Sequence, residues 1–264
     1  MAAKQGGMDK TLGKANSTAI RRKASPALKR GGGSVHSSVA EAIGKRIVRG
    51  EFAPGSILPN EAKWATDFKV SRSAVREGIK ILMAKNLLVS RPKVGSRVEP
   101  RDRWSLLDHD ILTWYATAPN REKFLASLQQ FRYIVEPEAA ALAAEFHSEE
   151  QMHEISAACH DMATAPSLHE RTEADVRFHL AILKATNNEL LLPLGVIIDQ
   201  ALNNLFIFIT RQANDLHYAQ DLHEKIERNI RLRKPQAARI AVRNLLANSD
   251  EIIKRGPLKN PRKN

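Results

Sequence analysis

The run LPNEAKWATDFKVSRSAVREGIKILMAKNLLVSRPKVGSRV, residues 58–98, decides how the first part of the chain folds. Within it Val75, Ile79 and Leu82 recur at the three- and four-residue spacing of a helix with one buried face, and Ser71 stands where an N-cap belongs. Upstream, Asn60 can cap a shorter helix that turns Trp64, Ala65 and Phe68 inward, with Lys69-Val70 as the turn between the two. After Asn86 the period changes, and residues 87–89 and 94–98 read as two short strands around the basic tip Arg91-Pro92-Lys93. Before the run, Ser34 can cap a helix whose stripe is Val39, Ala42, Ile43 and Ile47, stopped by Gly50, Pro54 and Gly55. Three helices and a hairpin over residues 34–98 are the layout of a winged helix-turn-helix.

Outward from this module the chain changes character. Residues 1–33 mix Lys, Arg, Ser, Gly and Ala with little apolar periodicity and read as a disordered basic arm, without the long apolar region of a secretory signal. Residues 99–104 form a charged linker. From there to residue 254 the pattern is helical, with helices expected at about 105–117, 121–146, 149–163, 168–186, 189–212, 217–233 and 235–254. Pro119, Ala165-Pro166, Asn187-Asn188 and Lys234-Pro235 serve as breakers, and residues 255–264 are a basic tail. The fold class expected is mainly α, a winged helix-turn-helix followed by an all-α helical bundle.

Charge divides along the same lines. The net charge is +12, but residues 35–98 hold twelve Lys and Arg against five acids, while residues 99–253 hold sixteen against twenty-three. The arm adds eight cations against one Asp. A basic module joined to an acidic one calls for a polyanionic partner on one side only, and double-stranded DNA is the commonest. The lone Cys159 excludes an internal disulfide and Cys-rich zinc, which fits a reducing cytoplasm, and no apolar run is long enough for a membrane helix.

On the helix after Ser71, residues Arg72, Ser73, Arg76 and Lys80 fall opposite Val75, Ile79 and Leu82. A helix fits the major groove, where Arg can meet guanine O6 and N7 while Ser and Lys hold phosphates. The wing adds Arg91, Lys93 and Arg97 around Gly95. A solvated charged face is the bland alternative, but helix, turn and basic hairpin agree on DNA. Beyond these physical signals, VSRSAVREG and KVGSRV resemble the winged helix-turn-helix of the GntR family of bacterial regulators. The resemblance implies operator contacts from Arg72, Arg76 and Gly95. Ala62 stands where that family often has an arginine, which removes one expected contact, and Gly78 stands where alanine is usual.

FRYIVEPEAAALAA and EADVRFHLAILKATNNELL are similar to the ligand-binding FCD domain of the FadR branch of that family, over about residues 105–253. Within the branch, RWSLLDHDILTW and VEPEAAALAAE resemble repressors of sugar-acid catabolism of the galactonate type. Asp175 and His179 are four apart on one helix face, so they can share a cation or simply form a hydrogen-bonded pair in a pocket. The resemblance implies a divalent metal (Zn, Ni or Mn) held by a carboxylate and three histidines. Asp175, His179 and His223 supply three of these, and Leu245, which cannot ligate, stands at the fourth, so a three-ligand site with a weakened or absent metal is expected. It also implies that Arg132 meets the effector's carboxylate, and Asn188, matching an asparagine of that domain, is a second effector-binding candidate. Arg132 has a competing partner in Glu136, four residues on, and Asn188 a competing role as a turn residue.

The function expected is a homodimeric, sequence-specific transcription regulator, a repressor released by a small acidic metabolite such as galactonate. Two other classes compete. A metal-dependent enzyme built on Asp175, His179 and His223 would leave the DNA-reading half unexplained, and the chain offers no nucleophile motif or phosphate loop. A nonspecific architectural DNA protein would use the basic tails and ignore sequence.

Overall fold

The computed structural model describes residues 34–91, 94–119, 121–209 and 213–255. The arm assigned to residues 1–33, the wing residue Lys93 and the tail beyond residue 255 lie outside them. The described chain is mainly helical. It runs α1 (Val35–Val48), α2 (Glu61–Phe68), α3 (Arg72–Ala84), β1 (Leu88–Arg91), β2 (Gly95–Val98), α4 (His109–Ala116) and α5 (Arg121–Phe146). Then come α6 (Glu149–Thr164), α7 (Leu168–Ala185), α8 (Gly195–Ile209), α9 (Ala213–Arg231) and α10 (Pro235–Arg255).

The first core is built from the stripes expected of it: Val39, Ile43 and Ile47 of α1 meet Trp64 and Phe68 of α2 and Val75 and Leu82 of α3. Each helix starts on its own side-chain cap, Ser34, Asn60 or Ser71, which satisfies an amide that the first turn leaves without a partner. Gly78 sits where α1 and α3 approach most closely. A Cβ there would lie 2.8 Å from Val39 Cγ1 and 3.0 Å from the His36 carbonyl, closer than real Cβ contacts, so glycine permits this approach. The wing is an antiparallel pair, Leu88 opposite Val98 and Arg91 opposite Gly95, and β2 is further clamped by a bridge to Ile57.

This core does not end with the wing. Residues 101–103 make one 3-10 turn, Trp104 is buried beneath it with its Nε1 donating to the Glu99 carbonyl at 2.8 Å, and Ile111 and Trp114 of α4 complete the cluster. The stretch expected as a bare linker is therefore folded onto the reading head. Trp114 packs so tightly on α1 that a Cβ on Gly44 would fall 2.1 Å from its ring.

The second core lies among α5 to α10. Four alanines of α5, Ala139, Ala140, Ala143 and Ala144, present short side chains and let neighbouring helices come close; Phe178, Ile226 and Leu246 fill the centre. Three helix starts differ from expectation, α9 among them, which begins at Ala213 rather than 217. α4 begins at His109 rather than near 105, because Asp108 Oδ1 caps it by accepting from the amides of Asp110 and Ile111. The helix expected from 189 begins at Gly195, after a 3-10 turn over Leu192–Leu194, because Asn188 Oδ1 accepts from the Leu190 amide and Pro193 has no amide to give.

Candidate functional site

Two places gather the candidate residues. On the reading head, Val75, Ile79 and Leu82 hold α3 against the core, which leaves Arg72, Ser73, Arg76 and Lys80 exposed on its outer side. Ser71 Oγ accepts from the Ala74 amide at 3.1 Å and fixes the helix start. Arg76 is already oriented: its Nε and Nη2 donate to the two carboxylate oxygens of Glu61 on α2 at 3.1 and 2.9 Å. That hydrogen bond holds Glu61 below the usual carboxylate range. Lys80 pairs with Glu77 at 2.9 Å. Exposed pairs of this kind contribute little to stability and can be exchanged for a phosphate or a base edge. On the wing, Gly95 has φ +100°, which favours glycine, and Arg97 Nε donates to the Gly55 carbonyl at 2.6 Å, which ties the strand to the head. The outward chemistry of α3 was legible in the sequence; the brace from Glu61 to Arg76 was not.

The second place is buried in the helical half. α7 carries Asp175 and His179 one turn apart, α9 brings His223, and α5 brings Glu136 and Arg132. His179 Nε2 lies 3.3 Å and His223 Nε2 3.2 Å from the same oxygen, Asp175 Oδ1, and the three ligand atoms lie within 4.8 Å of one another. The other ring nitrogens are occupied. His223 Nδ1 donates to the Ala219 carbonyl at 2.6 Å, and His179 Nδ1 stands 3.1 Å from Glu136 Oε2. Although burial opposes its ionisation, Arg132 and His179 hold Glu136 down at about 2, so Glu136 can only accept.

With both imidazoles neutral, each Nε2 aims a lone pair at a carboxylate lone pair. Asp175 Oδ1, His179 Nε2 and His223 Nε2 are indeed buried with no hydrogen-bond partner. Three acceptors facing one point need a cation or an extra proton. The pull is visible in His179, where Glu136 and Asp175 outweigh burial and push the imidazole up to about 9. Asp175 is held far below its ordinary range, burial being outweighed by the two histidines. Donor atoms about 2.0–2.2 Å from a tetrahedral ion stand roughly 3.4 Å apart, so the spacing fits a divalent metal with two imidazoles and one carboxylate. Glu136 on His179 is the outer partner that fixes a ligand's tautomer. Leu245, at the expected fourth ligand position, is a buried hydrocarbon in the core and offers no ligand atom.

Arg132 is brought to the same group. It is 1% exposed, and its Nε and Nη2 donate to Glu136 at 2.6 and 3.3 Å. Its Nη1 donates to Gln129 Oε1 at 3.3 Å, and Gln129 and Tyr133 both donate to Asp250 of α10. Glu136 is thus the hub between His179 and the guanidinium. The sequence offered it as a partner for Arg132 but gave no sign of its contact with His179. Asn188 is not brought here; it is exposed in the turn after α7.

With this geometry in place, comparisons with known proteins are informative. Residues 36–98 match the model of bacterial regulatory proteins of the gntR family, and residues 127–248 match the FCD domain. The chain is 33% identical over 216 residues to an uncharacterized HTH-type transcriptional regulator, YieP of Escherichia coli K12, covering 81% of this chain and 93% of that protein. It is 32% identical over 215 residues to the galactonate operon transcriptional repressor of the same strain, covering 80% and 93%. The Glc operon transcriptional activator of that strain is 28% identical over 197 residues, covering 72% and 74%. Among solved structures, Lar, which controls expression of the Listeria monocytogenes agr system, superposes with a TM-score of 0.59 at 19% identity over 85% of this chain and 98% of its own, a likeness of fold. Its reading head, its helical half and its similarity to these regulators agree: the chain belongs to the GntR family, with an FCD domain, and is a DNA-binding transcription regulator, not an enzyme.

Proposed function

We propose that this regulator is a homodimeric repressor released from its operator by a small hydroxy acid of the sugar-acid class, which is read at a metal held by Asp175, His179 and His223. The convergence of three unpartnered buried acceptor atoms beside Arg132 carries the reading. Without a metal, Asp175 and Glu136 against Arg132 leave the group negative or, with His179 protonated, neutral. A divalent ion makes it positive and so creates the attraction for an anion. Similarity to a galactonate operon repressor supports the choice of acid and of sign.

The test is calorimetry on the full chain after chelation, with Zn, Ni or Mn restored one at a time before galactonate is added. Galactonate should bind the metal-loaded protein and show no heat with the chelated one. Equal binding by both would remove the metal from effector recognition.

On the DNA side, Arg72 and Arg76 would read bases in the major groove. Ser73 and Lys80 would hold phosphates, and Lys93, Gly95 and Arg97 would bring the wing to the backbone. Arg72→Ala and Arg76→Ala are each expected to weaken operator binding by about 1–3 kcal/mol with unchanged circular dichroism, since both side chains lie outside the core. Wild-type affinity in either variant would move the reading surface off α3.

A further inference from the structure

Between the reading head and the helical bundle lies a cavity of about 380 Å³, within the range of small-molecule sites. Leu112 and Tyr115 of α4, Phe124, Leu128 and Phe131 of α5, and Ile197 of α8 form its walls. None of Arg132, Asp175, His179 or His223 lines it. Much of the lining falls between residues 98 and 127, in the stretch that neither family model matches.

We propose that this cavity is a second ligand site, which takes an amphipathic monocarboxylate with an apolar body and a single acid head. The apolar walls select the body. Leu106 and Leu107 at the mouth are 46% and 48% exposed and would lose water contact against such a ligand. Arg101 and Lys123 supply the head's counter-charge. Both line the cavity, no acidic residue lines it, and among the described residues neither has a carboxylate partner. Arg101 rests over the Trp104 ring, 5.7 Å from its centroid. Tyr115, stacked on Phe124 at 5.1 Å, is half-buried, and its hydroxyl makes no hydrogen bond within the described residues, so it can donate to the acid. A polyhydroxylated acid does not suit these walls, because its hydroxyls would be buried against hydrocarbon.

The position gives occupancy a consequence. α4 shows Leu112 and Tyr115 to the cavity while its other side drives Ile111 and Trp114 into the core of the reading head, Trp114 against Gly44 of α1. A ligand here bears on the helix that carries the reading head. The site stands independently of the metal-centred effector reading.

The experiment titrates the full chain with decanoate below its micelle concentration, followed by calorimetry and by tryptophan fluorescence, since the Trp104 and Tyr115 rings lie 6.3 Å apart. Decanoate should bind saturably at one per chain, and decanol at least about tenfold more weakly, the equivalent of one charge-assisted contact. The double variant Arg101→Gln with Lys123→Gln, both exposed, should lose a similar factor. Asp175→Asn should bind decanoate as wild type does. Absence of saturation would overturn the proposal, as would equal binding of decanol and decanoate, or unchanged affinity in the double variant. Loss of decanoate binding in Asp175→Asn would place the acid in the buried centre instead. A Ser127→Phe variant, filling the cavity from its rim, should block decanoate and leave the oligomeric state unchanged; dissociation of the oligomer in that variant would mean that a second copy covers this face.

Discussion

Replacing Arg132 by alanine is expected to cost about 3–5 kcal/mol of stability, the largest single effect among the residues of the buried site, because Glu136 would be left ionised in the core with only His179 to face it. Burial disfavours the charge of both partners, yet each holds the other ionised: the Arg132 guanidinium is raised above its ordinary range and Glu136 is held at about 2. The cost is a penalty of separation, and the pair itself need not be strongly stabilising. Arg132→Met combined with Glu136→Gln should therefore recover much of the loss, since no uncompensated charge remains. Urea unfolding of the two single variants and the double reads the coupling directly. A single variant that unfolds at the wild-type midpoint would show that the guanidinium is not a buried partner of Glu136.

The second large effect concerns the metal. A ligand that binds only the folded chain stabilises it by about 2.7 kcal/mol at a hundred times its dissociation constant. Zn, Ni or Mn should therefore raise the unfolding temperature of chelated protein by several degrees. Asp175→Asn keeps the shape and removes the carboxylate shared by both imidazoles. Loss of an outer partner alone typically costs 10–100-fold in metal affinity, so loss of this ligand should cost at least about 100-fold and abolish the thermal shift. Identical melting of chelated and metal-supplemented wild type would contradict the site.

How far the chain could be read from its letters depended on whether a feature is local. α3 was legible because its cap, its buried stripe and its outward cations all fall within one short run, residues 71–82, and agree with one another. Asp175 and His179 were legible for the same reason, one turn apart on α7. His223 and Leu245 became placeable only through family resemblance, since no periodicity joins α7 to α9 and α10.

Contacts between distant segments left no trace. The seating of Trp114 on Gly44 pairs an aromatic with an unremarked helix glycine, and nothing about either residue announces the other. The Glu61 brace on Arg76 joins two helices across a turn. The stretch 99–104 is charged in composition, yet its one large apolar residue, Trp104, is buried with its Nε1 donating to the Glu99 carbonyl, a contact that composition does not announce. Helix ends misplaced by several residues trace to single polar side chains, Asp108 and Asn188, that cap or turn the backbone where apolar periodicity still continues.

The most direct measurement of the account is operator release. DNA selected from a random pool by the full chain is labelled, and its dissociation from metal-loaded protein is followed by fluorescence anisotropy as galactonate or another sugar acid is added. A ligand can shift DNA affinity only as far as it prefers one arrangement of the reading heads over another. The account predicts that the acid releases wild-type protein, that a neutral sugar does not, and that chelated protein and Asp175→Asn stay bound at every acid concentration. Release of the chelated protein at the same acid concentration as the metal-loaded one, or retention of wild type by every acid tried, would contradict it.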